Sequence, residues 1–293
     1  MKNNIFSNFI FFDSAPGATA KFKNKILILF AFFFILFFAA YGNCVFASDN
    51  SQKIFELRNE AEQAFKKGLE LKDDEKSEPM FSTAKSKYEE ILKLLKTPNG
   101  YVYYNIANCH FMMKQYGYAI LNYQRAKKYI PGERNIELNL SAARKNIETS
   151  IKRKQINEVM HLVFFWHYFI NLKNRIVVFV IAANLLLLCA CIRLFKEWKI
   201  TAFIVKITAV IIICFGISIA IQYYDDTYTP RGVIVKDSVI ARKGNSQSYE
   251  QSFDKPLNEG VEFKVLETKE DWYRIILDND AECWIPADCV ELV

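Results

Sequence analysis

Residues 200–221 form an apolar run of 22 residues whose only charged side chain is Lys206. As a helix it would be roughly 33 Å long, enough to cross a hydrocarbon core of about 30 Å. A second run, 176–192, would reach about 26 Å by the same arithmetic, and Leu194 and Phe195 extend it if Arg193 snorkels. Only residues 193–199 separate the two, so they must form a tight membrane hairpin over 176–223. That connection carries Arg193, Lys196 and Lys199 against a single Glu197, whereas Asp225-Asp226 follow the second run. The positive-inside rule then places the connection in the cytoplasm and the flanking parts outside it. Lys173 and Arg175, at the outer end of the first run, oppose this weakly. Within the runs Lys206 is expected to snorkel and Asn184 to bond a neighbouring helix, which leaves no series of ionisable groups for a transport path.

The N-terminus agrees with export. Lys21, Lys23 and Lys25 precede the apolar stretch 26–40, and Val45-Phe46-Ala47 offers small residues at cleavage spacing. Residues 1–47 therefore read as a secretory signal peptide with an N-terminal extension. Hydrophobic residues make up 52% of the chain, but they concentrate in these three runs, and the remainder has soluble character. The net charge of +6 is scattered, with no basic block interleaved with aromatics, so nucleic acid is not an expected partner.

Periodicity of 3.6 dominates residues 50–157. Tyr103, Ile106 and Ala107 share a face of one helix; Ala119, Tyr123 and Ala126 share a face of the next, and Pro131 ends it. Small Ala107 and Ala119 allow close approach, while the aromatics fill the space beside them. Ala84, Tyr88 and Ile91 repeat the second helix's spacing, with an amphipathic partner over 54–71 and a polar break over 73–79. Ile136, Leu140, Ala143 and Ile147 mark a closing helix. This order resembles tetratricopeptide repeats, helix–turn–helix units that hold other proteins. The resemblance implies an all-α repeat domain whose first helices line a peptide or protein groove. In this chain those positions are Tyr101, Tyr104, Asn105, Asn108, Phe111 and Met112, with Asn139 from the closing helix. Amides there would bond a peptide backbone and tyrosines would pack on its side chains; without a lysine near Tyr104, an acidic chain end is not the expected ligand. Some of these residues are equally open to a packing role.

Residues 158–175 are too short and polar-edged to span, and Phe165, Trp166 and Tyr168 suit a membrane interface. His161 and His167, six residues apart, lack ligand spacing for a metal. Over 228–293 the period changes to two, with short runs at 233–235, 239–242, 261–266, 272–277 and 283–285 separated by Gly, Asn and Asp turns. Glu259-Gly260, Asp271-Trp272-Tyr273-Arg274-Ile275 and Trp284-Ile285-Pro286 make this part resemble a bacterial SH3-like barrel, with Cys283 standing where that family has glycine. At least one of Trp272 and Trp284 is expected in the barrel core; exposed, they and Tyr273 would form a binding surface. Cys283 and Cys289 share an exported domain and are open to pairing, but free thiols are the preferred reading.

Export signal, repeats, membrane hairpin and SH3-like barrel, in that order, resemble the BatE-type proteins of the bacterial aerotolerance operon. The resemblance implies a multidomain scaffold in the bacterial inner membrane, with its soluble domains in the periplasm. Its implied partners are envelope membrane proteins, von Willebrand A-domain proteins and a MoxR-type ATPase system, and its implied setting is stress tolerance. A cell-wall binder gripping peptidoglycan through the SH3-like domain is the second reading. The chain lacks a Ser/His/Asp order and a phosphate-binding glycine loop, and the one Glu-Xaa-Xaa-His, Glu158 to His161, stands without a second ligand at metal spacing, so neither enzyme nor cofactor is expected.

Overall fold

The structure, a computed structural model, describes residues 50–71, 74–149, 151, 158–195 and 198–293. The signal peptide expected over 1–47 lies outside the described residues. So do Lys196 and Glu197 of the basic connection.

Helices α1 (Ser51–Glu70) and α2 (Asp74–Leu94) reverse on each other, because Leu57 and Ala61 bury against Ala84, Tyr88 and Ile91. Lys53–Glu90 and Lys87–Glu60 ion pairs mark the antiparallel register. The expected break over 73–79 is helical from Asp74 onwards. Pro79 sits near the N-terminal end, where its fixed φ suits the helix and only one backbone bond is lost. Helix α3 (Gly100–Met112) starts at Asn99, whose side chain accepts from the Tyr101 backbone N–H at 2.9 Å. It pairs with α4 (Tyr116–Tyr129) through Ala107, Ala119, Tyr123 and Ala126, and α5 (Arg134–Lys145) adds Ile136, Leu140 and Ala143 to the same core.

Two short helices, α6 (Glu158–Val163) and α7 (Phe165–Tyr168), expose Leu162, Val163, Phe164 and Phe165. Helices α8 (Leu172–Phe195) and α9 (Lys199–Tyr228) are each long and apolar enough to cross a membrane, with mean hydropathy 2.6. Their seam follows a heptad: Arg175, Ala182 and Cys189 on α8 face Thr201, Thr208 and Ser218 on α9. Asn184 does not bond across the seam as expected. Its amide donates to Val180 O at 2.8 Å, one turn back on its own helix, because Ala182 and Cys189 define the buried face and Asn184 lies beside it. Lys206 is exposed. At 30 residues, α9 outruns the ~30 Å a span needs by roughly 15 Å, so its last turns project beyond it.

Only Thr229 and Pro230 separate α9 from an antiparallel five-stranded sheet of order β4-β3-β2-β1-β5. Its strands are β1 (Arg231–Ile234), β2 (Glu262–Lys269), β3 (Trp272–Leu277), β4 (Glu282–Pro286) and β5 (Val290–Leu292). The expected run 239–242 forms isolated bridges to Leu257, Gln251 and Trp284 rather than a strand, and the terminal β5 was not foreseen. Ile234, Phe263, Val265, Ile275, Leu277, Cys283 and Ile285 fill one core. Val233 and Val235 point the other way, into the core of α4 and α5. Strand β1 is therefore buried on both faces and walls two cores at once. Residues Asn50–Val293 form one compact unit.

Candidate functional site

Helix α3 and helix α5 bring three of the expected groove residues together. Asn108 Oδ1 accepts from the Tyr123 hydroxyl at 2.6 Å and from Asn139 Nδ2 at 3.0 Å. Asn139 Nδ2 also donates to the Tyr104 hydroxyl oxygen at 3.0 Å, and the Tyr104 and Tyr123 rings lie 5.9 Å apart. Tyr123 comes from α4 and is 1% exposed; burial pushes its phenol well up, so it stays a hydrogen-bond donor at any physiological pH. These bonds use one half of each amide. Among the described residues, the two N–H donors of Asn108 Nδ2 and the acceptor Asn139 Oδ1 are left without a partner. One donor group and one acceptor, held in place from behind by a buried tyrosine, match the C=O and N–H of an extended backbone.

The remaining expected residues divide. Tyr101 is exposed and lines a pocket of about 270 Å³ with Ile130, Pro131 and Phe169, and Met112 is exposed at the other end of α3. Phe111 instead packs on the core and meets Tyr116 edge-on at 5.7 Å. Asn105 is half-buried and outside the amide network.

On the sheet, Tyr273 faces inward and packs on the core, whereas Trp272 and Trp284 are half-buried on the opposite face. The expectation of a tryptophan in the core is thus corrected. The strands alternate, and the inward places go to Tyr273, Ile275 and Leu277 on β3 and to Cys283 and Ile285 on β4. Trp284 lies opposite Arg274 and under the Lys269 ammonium at 5.6 Å, and Trp272 lies opposite Pro286. Trp272 and Pro286 also line an open pocket of about 580 Å³ with Asn245, Gln247, Glu270 and Asp271. Cys283 is in the core, where burial raises its thiol to about 12; Cys289 donates to Asp288 Oδ1 at 3.3 Å, and both are free.

Charged contacts that join helices to sheet were not foreseen. Glu262 of β2 accepts Arg144 of α5 through two bonds of 2.8 Å and also accepts from Gln124 of α4. Burial lowers the Arg144 guanidinium to about 10, which still leaves it charged at neutral pH. Arg125 reaches Glu291 at 3.0 Å and Leu292 O at 2.8 Å on β5. At the start of α4, where Gln115 makes no side-chain cap, Glu259 Oε1 accepts from the Tyr116 backbone N–H at 3.1 Å. A carboxylate 143 residues away thus caps the helix and complements its dipole. The close approach requires glycine twice. A Cβ at Gly117 would lie 2.9 Å from Glu259 Cβ, and Gly260 has φ +85° with Ile147 only 2.5 Å from where its Cβ would be. These pairings span more than a hundred residues and leave no local pattern; Glu259-Gly260 is the only one whose dipeptide stood out, as a strand opening.

His110, on the buried side of α3, donates from Nδ1 to Gln115 Oε1 at 2.7 Å and stacks on Tyr118. Burial lowers it to about 4, so it is a neutral packing group. Among the described residues no group of three or more His, Cys, Asp or Glu side chains is placed to hold a metal ion. No protein-family model, curated protein or solved structure matches the chain.

Proposed function

We propose that this chain is a membrane-anchored scaffold of the bacterial inner membrane, which holds an extended segment of an envelope protein against α3 and α5. The observation that carries the proposal is the half-satisfied amide pair. Asn108 and Asn139 are fixed by Tyr104 and Tyr123, and each keeps its complementary half free for a peptide backbone. Preorganised amides lose little entropy on binding, and exposed Tyr101 and Met112 supply apolar contact at either end. The helix pairs support the tetratricopeptide resemblance, and the antiparallel sheet supports the SH3-like one. Together with the two apolar helices they support a BatE-type assignment, with von Willebrand A-domain proteins and a MoxR-type ATPase system as its company. The basic connection between the spans favours soluble parts that face the periplasm.

The test is affinity capture of the full-length tagged chain from mild detergent, with Asn108→Ala and Asn139→Ala in parallel. Envelope proteins recovered by the wild type and lost from both variants are the expected result. Recovery unchanged by either substitution would refute the groove, and a reporter fused after Val293 that is active only in the cytosol would refute the orientation.

A second reading, binding of peptidoglycan by the sheet, is favoured by the outward tryptophans. Trp272, amides and carboxylates around a pocket of about 580 Å³ suit a sugar or peptide fragment. Retention on purified sacculi that Trp272→Ala abolishes, and Asn108→Ala leaves intact, would identify this reading instead.

A further inference from the structure

Where α8 and α9 meet the helical part and the first strand, they enclose a cavity of about 220 Å³. Its inner wall holds Arg175, in the first turn of α8 and only 2% exposed. The guanidinium donates to Ser218 Oγ at 2.8 Å, Ser218 O at 3.2 Å, Gln222 Oε1 at 3.0 Å and His167 Nδ1 at 3.1 Å. Arginine only donates, so His167 Nδ1 is an acceptor here and the imidazole is neutral. Every partner of this cation is therefore neutral, and its buried Nε has no acceptor at all. A charge withdrawn from water without a counter-charge is among the most costly arrangements a fold can hold.

The rest of the cavity supplies a counter-charge only through space, from Asp226, with no hydrogen bond to the guanidinium. Asp226 is engaged by Lys128 at 3.5 Å and Gln222 at 3.2 Å. Asp225 also lines the cavity, but makes no ion pair with Arg175. Among the lining side chains Lys127 is held by Glu137 and Lys128 by Asp226, which leaves Arg175 and Arg231 against Asp225, a surplus of positive charge. The location narrows the ligand further. Arg175 begins the first apolar helix, and the exposed Phe164, Phe165 and Phe169 lie just before it in the chain.

We infer that this cavity receives the phosphate of an anionic phospholipid headgroup, with Arg175 and Lys128 as its cationic walls and the acyl chains along the α8–α9 pair. The inference rests on the membrane-anchored reading. A phosphodiester brings one negative charge and several acceptors to a site that has surplus donors and surplus positive charge. Arg175 then acts at the membrane rim as a lipid ligand rather than as a free basic residue of the outer flank.

The full-length chain, extracted from phosphatidylglycerol-containing membranes, would be delipidated stepwise and followed by native mass spectrometry. Wild type is expected to retain one phospholipid. Arg175→Gln is expected to retain it about tenfold less well, the factor for loss of one hydrogen bond between charged groups. Since Arg175→Gln could fail to fold, Lys128→Gln/Arg231→Gln on the solvent side of the cavity is the second variant, with the same expectation. Add-back of phosphatidylglycerol should raise the melting temperature of wild type and not of the variants. Equal lipid retention by all forms overturns the inference; so does stabilisation by inorganic phosphate alone, which would assign the site to the free ion. Carbonate extraction separates the two failures: a chain that stays in the membrane yet keeps no lipid defeats this inference only, whereas a chain released as soluble protein defeats the anchoring itself.

Discussion

Gly117→Ala tests the joint between helices and sheet, because local and tertiary physics predict opposite signs. Gly117 is the second residue of α4, and alanine there would favour an isolated helix by up to ~1 kcal/mol. In the folded chain the new methyl would lie 2.9 Å from Glu259 Cβ and Oε2 and 3.1 Å from the Gly260 backbone nitrogen. Glu259 cannot simply swing away, since its carboxylate caps Tyr116 and the next residue, Gly260, is wedged against Ile120 and Ile147. Overpacking of this kind costs about 1–3 kcal/mol, and displacement of the cap adds roughly 1 kcal/mol. The net expectation is a loss of about 2 kcal/mol, or ~4–8 °C in Tm for a unit of this size. Chemical denaturation of the full-length variant in detergent micelles, followed by circular dichroism, measures it. In a Glu259→Gly background two of the three obstructing atoms, Cβ and Oε2, are gone, so the same substitution should cost less than half as much. A stabilised Gly117→Ala variant, or one whose cost is unchanged by Glu259→Gly, would refute the joint.

Arg144→Met removes both guanidinium bonds from Glu262, only 12% exposed, and should cost about 2–3 kcal/mol. Arg144→Met/Glu262→Leu should recover most of that loss in the same denaturation assay. His110, held at about 4 against an ordinary 6.5, takes up its proton more readily in the unfolded chain. Stability is therefore whole above about pH 6.5 and falls by about 3 kcal/mol as pH drops towards 4. His110→Gln should flatten that part of the Tm-against-pH curve. Trp272→Ala should cost about 1 kcal/mol rather than the ~3–5 kcal/mol of a core tryptophan, and acrylamide should quench Trp272 fluorescence in the folded state.

Elements whose burial repeats within a few residues were legible in the sequence. Ala84, Tyr88 and Ile91, and Ala119, Tyr123 and Ala126, recur at helical spacing because one stripe of each helix must leave water, and the structure buries all six. The alternation at 272–277 and 283–285 gave β3 and β4 for the same reason. The placement of the tryptophans was legible too, had strand parity been weighed above side-chain size. Trp272 alternates with Ile275 and Leu277, and Trp284 with Cys283 and Ile285, so both share the face of Arg274 and Glu282. What no period encodes is the far partner. Glu262 pairs with a residue 118 positions away, Glu259 caps a helix 143 positions away, and Arg175 is turned inward by Ser218 and Gln222 of another helix. Such contacts depend on how finished elements dock.

That docking bears on how the proposed scaffold would transmit occupancy. Helix α5 is 12 residues long and carries Asn139 of the amide pair and, five residues on, Arg144 of the Glu262 bond. A backbone bound at Asn139 therefore acts on the same rigid element that holds β2. Strand β1 in turn follows α9 after two residues, and α4 grips the end of α9 through Lys128 and Asp226. Among the described residues, packed helices and one doubly buried strand lie between the amide pair and the apolar helices. Ligand that binds only the folded state stabilises everything folded with it, so occupancy at α3 and α5 must tighten the sheet and the base of the hairpin as well. The helical part and the sheet are then one lever rather than two independently tethered modules, and on the proposed function a partner held at one end would be presented at a fixed distance from the membrane.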